Sequence, residues 1–317
     1  MTSRLAVNLA PNHPRGLNLR NPVLVASGTF GYGTEYRGLV NVDGIGALCS
    51  KGITVKPRAG NPTPRIAETP AGMLNAIGLQ NIGVDRVVSE MAPIWATWTV
   101  PVVVNISGES LDEFEHLAGT LDGVPGVAGL ELNISCPNIT RGGKLFADDP
   151  ESAAAATRAV RRNTSLPMMV KLSPNVNDIV TIARAVEAEG TDAISLINTL
   201  VAMQIDLERR RPRIANITAG LSGPAVRPVA VRMVYQVAQA VRVPIVGIGG
   251  IAETDHALEF MMAGAIAIQV GTANFVNPRA STEIIEGLDS YASSHGLEHI
   301  CDVVGAALPS RETARAR

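Results

Sequence analysis

The chain has 317 residues, 46% hydrophobic and 18% charged, and its 27 basic against 29 acidic residues leave a formal net charge of -2. That balance suits a large buried core and excludes a disordered chain. It supplies no basic excess to track phosphates, which excludes nucleic acid as the main partner. Apolar runs such as Val102-Val103-Val104 stop far short of the ~20 residues that span a bilayer. The opening MTSRLAVNLAPNHPRG has neither the apolar stretch of a signal peptide nor an amphipathic anchor, so no membrane attachment is expected. Cys49, Cys136 and Cys301 are too few and too scattered for a disulfide framework, which points to a reducing cytoplasm. No HxH, HExxH or CxxC pattern is present, so no metal site is expected.

From the N-terminus, Leu5–Leu9 and Gly16–Leu19 flank a turn-rich APNHPR and predict a hairpin within residues 1–20 that plugs the bottom of the fold. Short apolar runs that end in small or polar residues then recur. They are VLVASG (23–28), ALCSKG (47–52), VVVNIS (102–107), GLELNIS (129–135), MMVKLS (168–173), AISLINT (193–199), IVGIGG (245–250) and AIQVGT (267–272). Their length and Val/Ile content predict strands buried on both faces. Helices are predicted over 112–121 (capped by Ser110), 150–163 (after Asp148 or Asp149), 176–189, 227–241, 253–263 and 278–295, with Gly190, Gly264 and Gly296 as stops. Strands alternating with helices imply βαβ units and a parallel sheet. Eight such runs predict a single (β/α)8 TIM barrel spanning 1–317. A doubly wound open sheet is the runner-up, but ASGTFGYG after the first strand lacks the GxGxxG spacing. Long connections at 53–83 and 200–222 are expected as extended βα loops at the C-terminal face, where active sites of barrels lie. Residues 306–317 are expected to be a flexible tail.

A barrel brings its strand ends to one rim. Here they offer Ser27, Lys51, Asn105, Asn133, Ser135 with Cys136, Lys171, Asn198 with Thr199, Gly249 with Gly250, and Gly271 with Thr272. One asparagine after a strand is an ordinary turn residue. Two lysines and several asparagines together describe a donor-rich site for a planar, anionic, carbonyl-bearing ligand. GIGG and VGT end the last two strands, where barrels commonly bind phosphate through backbone N–H groups, and Gly223 adds another such position. The same glycines would also serve tight turns. Cys136 lies on a polar rim segment and is the reactive candidate, whereas Cys49 and Cys301 read as packing. All five histidines fall in the N-terminal loop or on predicted helices and read as surface residues.

The stretch SKGITVKPRAGNPTPRIAETPAGMLNAIGLQN, followed by NISCPN, VKLSPN, INT, GIGGI and QVGT, resembles dihydroorotate dehydrogenase from about residue 4 to about residue 307. SCPN resembles the soluble class 1 enzymes, whose base is cysteine, and GNPTPRIAETPAGMLNAIGLQN resembles class 1B in particular. The resemblance implies oxidation of (S)-dihydroorotate to orotate in pyrimidine biosynthesis, with hydride transfer to FMN. In class 1B the electrons pass to NAD+ through a partner subunit carrying FAD and a [2Fe–2S] cluster, and barrels dimerise within a heterotetramer. This chain lacks a ferredoxin-type cysteine set, so those two cofactors belong to the partner. By resemblance, FMN is held by Ser27, Lys51, Gly52, Asn105, Asn133, Lys171 and Ile197. Its phosphate lies on Gly223, Gly249, Gly250, Gly271 and Thr272. Substrate is held by Lys51, Asn75, Ala76, Ile77, Gly78, Leu79, Asn133, Asn138, Asn198 and Thr199, with Cys136 as the catalytic base. Arg141 stands where the family often has a small residue or a cysteine. The rival readings are a fumarate-dependent class 1A enzyme, a dihydropyrimidine dehydrogenase subunit and a flavin-free phosphate-binding barrel.

Overall fold

In a strand, successive side chains leave on opposite faces, so an eight-stranded ring must satisfy two environments at once. The computed structural model, which describes residues 4–135 and 146–309, shows that division in every barrel strand. The strands are β1 (Val23–Val25), β2 (Ala47–Cys49), β3 (Val102–Ile106), β4 (Gly129–Asn133), β5 (Met168–Leu172), β6 (Ala193–Leu196), β7 (Ile245–Ile248) and β8 (Ala267–Val270). All pair in parallel, each with its neighbour in the chain, and β8 closes onto β1 through Val270 opposite Val25. The (β/α)8 barrel expected from the eight apolar runs is therefore the fold.

One set of alternating residues, including Val104, Leu130, Leu132, Val170, Leu172, Ile194, Leu196 and Ile268, packs outward in the large core shared with the helices. The other set lines the inside. Leu24, Ala47, Cys49, Val103, Met169, Ala193, Val246 and Ala267 form a second cluster with Val7, Leu9, Leu17 and Leu19 of the N-terminal hairpin. That hairpin pairs Val7–Asn8 with Asn18–Leu19 and closes the lower end of the barrel, as its sequence position suggests. Asn8 makes the turn self-supporting by accepting the backbone N–H groups of Ala10 and Leu17. Strand β4 contributes no apolar side chain to this lower layer: its inward position there is Gly129, where a Cβ would lie 3.7 Å from Leu17 Cδ2 of the hairpin.

The helices follow their caps. Leu111–Leu121 starts where Ser110 accepts the Glu113 N–H, and Pro150–Arg162 where Asp149 accepts the Ser152 N–H. Ile179–Ala188 begins three residues later than its periodicity suggests, because Asp178 caps it by accepting the Val180 and Thr181 N–H groups. Arg227–Ala238, Thr254–Met262 and Ala280–Ser294 complete the expected set. A helical segment not expected from the sequence runs from Val84 to Trp95, α-helical at its ends and π-helical over Val87–Met91. The first connection carries only 3-10 turns, at Thr34–Tyr36 and Val42–Gly44.

The two long connections are more ordered than loops. Ile66–Thr69 and Gly72–Asn75 from the first, with Leu200–Ala202 and Ala219–Ser222 from the second, form one antiparallel four-stranded sheet above the rim. Of the expected tail over 306–317, the first residues are tied down: Gly305 and Ala307 donate to Met261 and Met262 of the Thr254–Met262 helix, and Leu308 donates to Gly305, while residues 310–317 lie outside the described residues. No helix among the described residues is long and apolar enough to cross a membrane.

Leu19 is buried in the hairpin plug at 2% exposure. Leu19→Ala is expected to cost about 2–5 kcal/mol, as cavity-forming leucine truncations do. Urea unfolding checks this as a lower midpoint at unchanged slope; an unchanged midpoint would show that the plug adds no stability.

Candidate active site

Above the apolar layer the inward positions turn polar. Asn105, Glu131, Lys171, Ser195 and Gln269 are all buried and alternate with outward apolar neighbours on β3, β4, β5, β6 and β8. Glu131 joins them. Its Oε2 accepts Asn105 Nδ2 at 2.7 Å and lies 3.9 Å from Lys171 Nζ, while its Oε1 accepts Ser195 Oγ at 2.9 Å and Gln269 Nε2 at 2.8 Å. A carboxylate with no solvent exposure needs such a shell, since an uncompensated buried charge is strongly unfavourable. Gln269 also donates to Cys49 Sγ at 3.2 Å. Burial and the nearby Glu131 push the Cys49 thiol well above the usual range, so Cys49 is the packing residue its apolar strand suggests.

The rim residues sit one step higher. Lys51 follows β2 beside Ser27 and Gly28; a Cβ built on Gly28 would lie 3.7 Å from Lys51 Nζ. Gly52 backs onto Asn105: a Cβ there would meet Asn105 Oδ1 at 2.7 Å and Leu79 Cδ2 at 3.6 Å. Asn133 Oδ1 accepts the Ser135 N–H at 3.1 Å and faces Asn198 Nδ2 at 3.4 Å. Asn198 in turn holds the Thr199 N–H at 2.8 Å, and Ile197 is anchored by its N–H to Ile248. Thus Ser27, Lys51, Gly52, Asn105, Asn133, Lys171, Ile197, Asn198 and Thr199 share one mouth.

Residues 75–79 approach that mouth from the four-stranded sheet. Asn75 donates to the Gly220 carbonyl at 3.3 Å, Asn61 holds the Ala76 and Ile77 carbonyls, and Gly78 packs on Asn61. Leu79 adopts φ 52°, an uncommon conformation for a bulky side chain. Asn81 holds it there: its Nδ2 donates to the Leu79 carbonyl at 2.6 Å and to Thr54 Oγ1 at 2.9 Å, and its Oδ1 accepts the Gly83 N–H at 2.8 Å. Asn81, Glu131, Ser195 and Gln269 receive no role from reading strand ends. None of them lies at a rim position, although GLQN places the Asn81 amide two residues after the constrained leucine.

On the opposite side of the rim, Gly249 and Gly250 adopt φ 132° and 74°. A Cβ on Gly250 would collide with the Gly223 carbonyl and Arg227 Cβ, each at 2.8 Å, so the turn itself requires glycine. Gly271 is different: its φ is not positive and a Cβ would meet only Ala26, at 3.7 Å, which leaves open space above it. Thr272 Oγ1 donates to Ser222 Oγ at 2.7 Å, linking this side to the sheet.

Four buried polar atoms in or beside the mouth have no hydrogen-bond partner among the described residues: Asn105 Oδ1, Ser107 Oγ, Ser135 Oγ and Gln269 Oε1. Burial, aided by the Arg65 guanidinium, holds the Lys51 amine below the usual lysine range. Cys136, Asn138 and Arg141 lie outside the described residues, immediately beyond Ser135. The reading of all histidines as surface groups is corrected at His256 and His299. His256 Nδ1 accepts the Ala252 N–H and His299 Nδ1 accepts the Cys301 N–H, and both residues are partly buried; His13, whose Nδ1 accepts the Arg15 N–H, is partly buried as well.

The profile of the dihydroorotate dehydrogenase family matches residues 10–291. The chain is 57% identical over 292 residues to a protein of Desulforudis audaxviator (strain MP104C), across 92% of this chain and 95% of that one. It is 54% identical over 306 residues to a protein of Pelobacter propionicus, across 96% of this chain and 99% of that one. A protein of Geobacter sp. (strain M21) is 54% identical over 291 residues, across 92% of this chain and 95% of that one. All three are named dihydroorotate dehydrogenase B (NAD(+)), catalytic subunit.

Lys51 is a half-buried cation whose native pKa is lowered, so its charge opposes folding below that native value. The opposition is relieved as pH rises toward the unfolded value, because the native state releases its proton first. Ligand-free Lys51→Met is therefore expected to melt at a higher temperature than wild type at pH 7. The gap should narrow as pH rises through the lowered Lys51 pKa. A lower melting temperature for the variant across that range would contradict the assignment.

Proposed function

The chain belongs to the dihydroorotate dehydrogenase family, and from that premise we propose that its barrel mouth binds FMN and (S)-dihydroorotate and oxidises the substrate to orotate, with NAD+ as final acceptor. The observation that carries this reading is the gathering of two lysines and a group of amides at one mouth, above a buried carboxylate that orders them.

The fit to a flavin is tested by the mouth itself. Asn105 Oδ1 is a buried acceptor without a partner, and Gly52 leaves beside it the space a Cβ would fill. Such an acceptor suits an N–H on the edge of a planar ring. Ser27, Lys51, Gly52, Asn105, Asn133, Lys171 and Ile197 would hold the ring system. The backbone at Gly223, Gly249, Gly250, Gly271 and Thr272 would hold the phosphate through its N–H groups. Bound FMN supplies a two-electron acceptor for the hydride that leaves carbon 6 of dihydroorotate.

The chain's own residues would do the rest. Lys51 would pair with the substrate carboxylate, and a partly desolvated ammonium binds such an anion more strongly than a hydrated one. Asn75, Asn133, Asn138 and Asn198, with Thr199 and the backbone of Ala76, Ile77, Gly78 and Leu79, would hydrogen-bond the pyrimidine ring and exclude water from it. Cys136, next to Ser135 at the end of β4, would take the proton from carbon 5 onto Sγ, leaving a carbon–carbon double bond. Lys171 would hold positive charge beneath the flavin ring, where reduction builds negative charge.

The relatives' names specify NAD(+) and a catalytic subunit, which supports NAD+ over fumarate and a separate electron-transfer subunit. We assign FAD and the [2Fe–2S] cluster to that subunit, in a cytoplasmic heterotetramer built on a dimer of barrels. Val201, Met203, Ile205, Leu207 and Ile217 are exposed along one segment of the chain. An apolar run of this kind suits subunit contact.

Anaerobic dihydroorotate is expected to bleach the flavin of the FMN-loaded chain and to yield orotate, with fumarate failing to reoxidise it. Cys136→Ala should retain FMN but slow bleaching by about 100-fold or more, as loss of a general base does. In wild type the rate should climb with pH toward the free thiol value of about 8.5. Stopped-flow spectroscopy reads both; wild-type bleaching by Cys136→Ala would remove the cysteine from its role.

A further inference from the structure

Glu131 has no solvent exposure and lies below the rim, out of reach of any ligand in the mouth. Its effect reaches the mouth through Asn105. A carboxylate can only accept hydrogen bonds, so Asn105 must turn its NH2 group toward Glu131 Oε2, where it sits at 2.7 Å. That leaves Asn105 Oδ1 on the Gly52 side, and this is the atom left without a partner. Ser195 Oγ and Gln269 Nε2 fix the other carboxylate oxygen from across the barrel, so the carboxylate has no freedom to release Asn105. Lys171 Nζ, 3.9 Å from Oε2, balances its charge.

From this geometry we infer that Glu131 is a positioning residue that sets the polarity of the mouth: it holds Asn105 as an acceptor toward the flavin. The inference rests on the FMN reading above. Replacing Glu131 by glutamine changes the partner atom and removes the charge that Lys171 balances. With the oxygen of the introduced amide still accepting from Ser195 and Gln269, its NH2 group faces Asn105, and Asn105 must rotate its own amide to offer oxygen inward. The mouth then receives NH2 in place of C=O. Adding Asn105→Asp to Glu131→Gln restores the arrangement with the charge moved one residue: the glutamine NH2 donates to one aspartate oxygen and the other oxygen faces the mouth.

The test is FMN affinity, read by quenching of flavin fluorescence in wild type, Glu131→Gln and Glu131→Gln/Asn105→Asp. The expected result is an FMN Kd raised roughly tenfold or more in Glu131→Gln, the scale of one buried acceptor turned into a donor. The double variant should recover to within about threefold of wild type, since its hydrogen-bond pattern is the same. A Glu131→Gln chain with wild-type Kd overturns the inference, and so does a double variant no tighter than the single one. If Glu131→Gln fails to fold, the double variant decides alone: near-wild-type FMN affinity supports the inference, and failure to fold or bind overturns it. A wild-type chain that binds no FMN defeats the functional reading instead, whatever the variants do.

Discussion

A single carboxylate buried inside the barrel organises the polar half of this molecule. Glu131 accepts hydrogen bonds from residues on β3, β6 and β8 and neighbours the ammonium on β5. It draws together strands that share no ladder with β4 as well as those that do. Removing any one donor would leave a charge poorly compensated in a medium where that is expensive. The mouth above therefore inherits its arrangement from below: Asn105 keeps its NH2 group toward Glu131, and Lys171 Nζ stays 3.9 Å from the carboxylate. Asn105 Oδ1, an acceptor left unpaired, lies on the Gly52 side.

The barrel interior is stratified accordingly. Its lower layer is apolar, closed by the hairpin, and meets the layer above where Gln269 donates to Cys49 Sγ. Its middle layer is ionic and amide-rich, and its rim is partly unsatisfied. Lys51 is held with a lowered pKa and Leu79 with φ 52°. Both features oppose folding and suit a site built to gain its remaining interactions from ligands. The plug and the outer core supply the stability that tolerates them.

Much of this was legible in the residues. The eight strands stand out because parallel strands buried on both faces read as short Val/Ile/Leu runs, and the glycine and asparagine stops mark the rim. The middle layer is visible too, in triplets such as Val104-Asn105-Ile106, Leu130-Glu131-Leu132, Val170-Lys171-Leu172, Ile194-Ser195-Leu196 and Ile268-Gln269-Val270. A polar residue between two outward apolar ones must point into the barrel, yet a reading confined to strand ends passes over Glu131, Ser195 and Gln269. The Val84–Trp95 helix carries apolar residues at 84, 87, 88, 91, 92 and 95, a helical spacing that Pro93 disguises. The four-stranded sheet was not legible, because Leu74 pairs with Leu221 across most of the barrel and no local signal records such a partner. Asn81 is likewise a local amide whose importance depends on the left-handed leucine it restrains.

The central claim is that the buried carboxylate presents Asn105 Oδ1 and the Lys171 ammonium to one planar ring. A crystal structure of the chain loaded with FMN and orotate tests it most directly. The isoalloxazine is expected within hydrogen-bond distance of both atoms, with Glu131 still bonded to Asn105 Nδ2 beneath it and orotate on the Lys51 side. A flavin seated away from β3 and β5, or Glu131 turned from Asn105 in the loaded state, would contradict it.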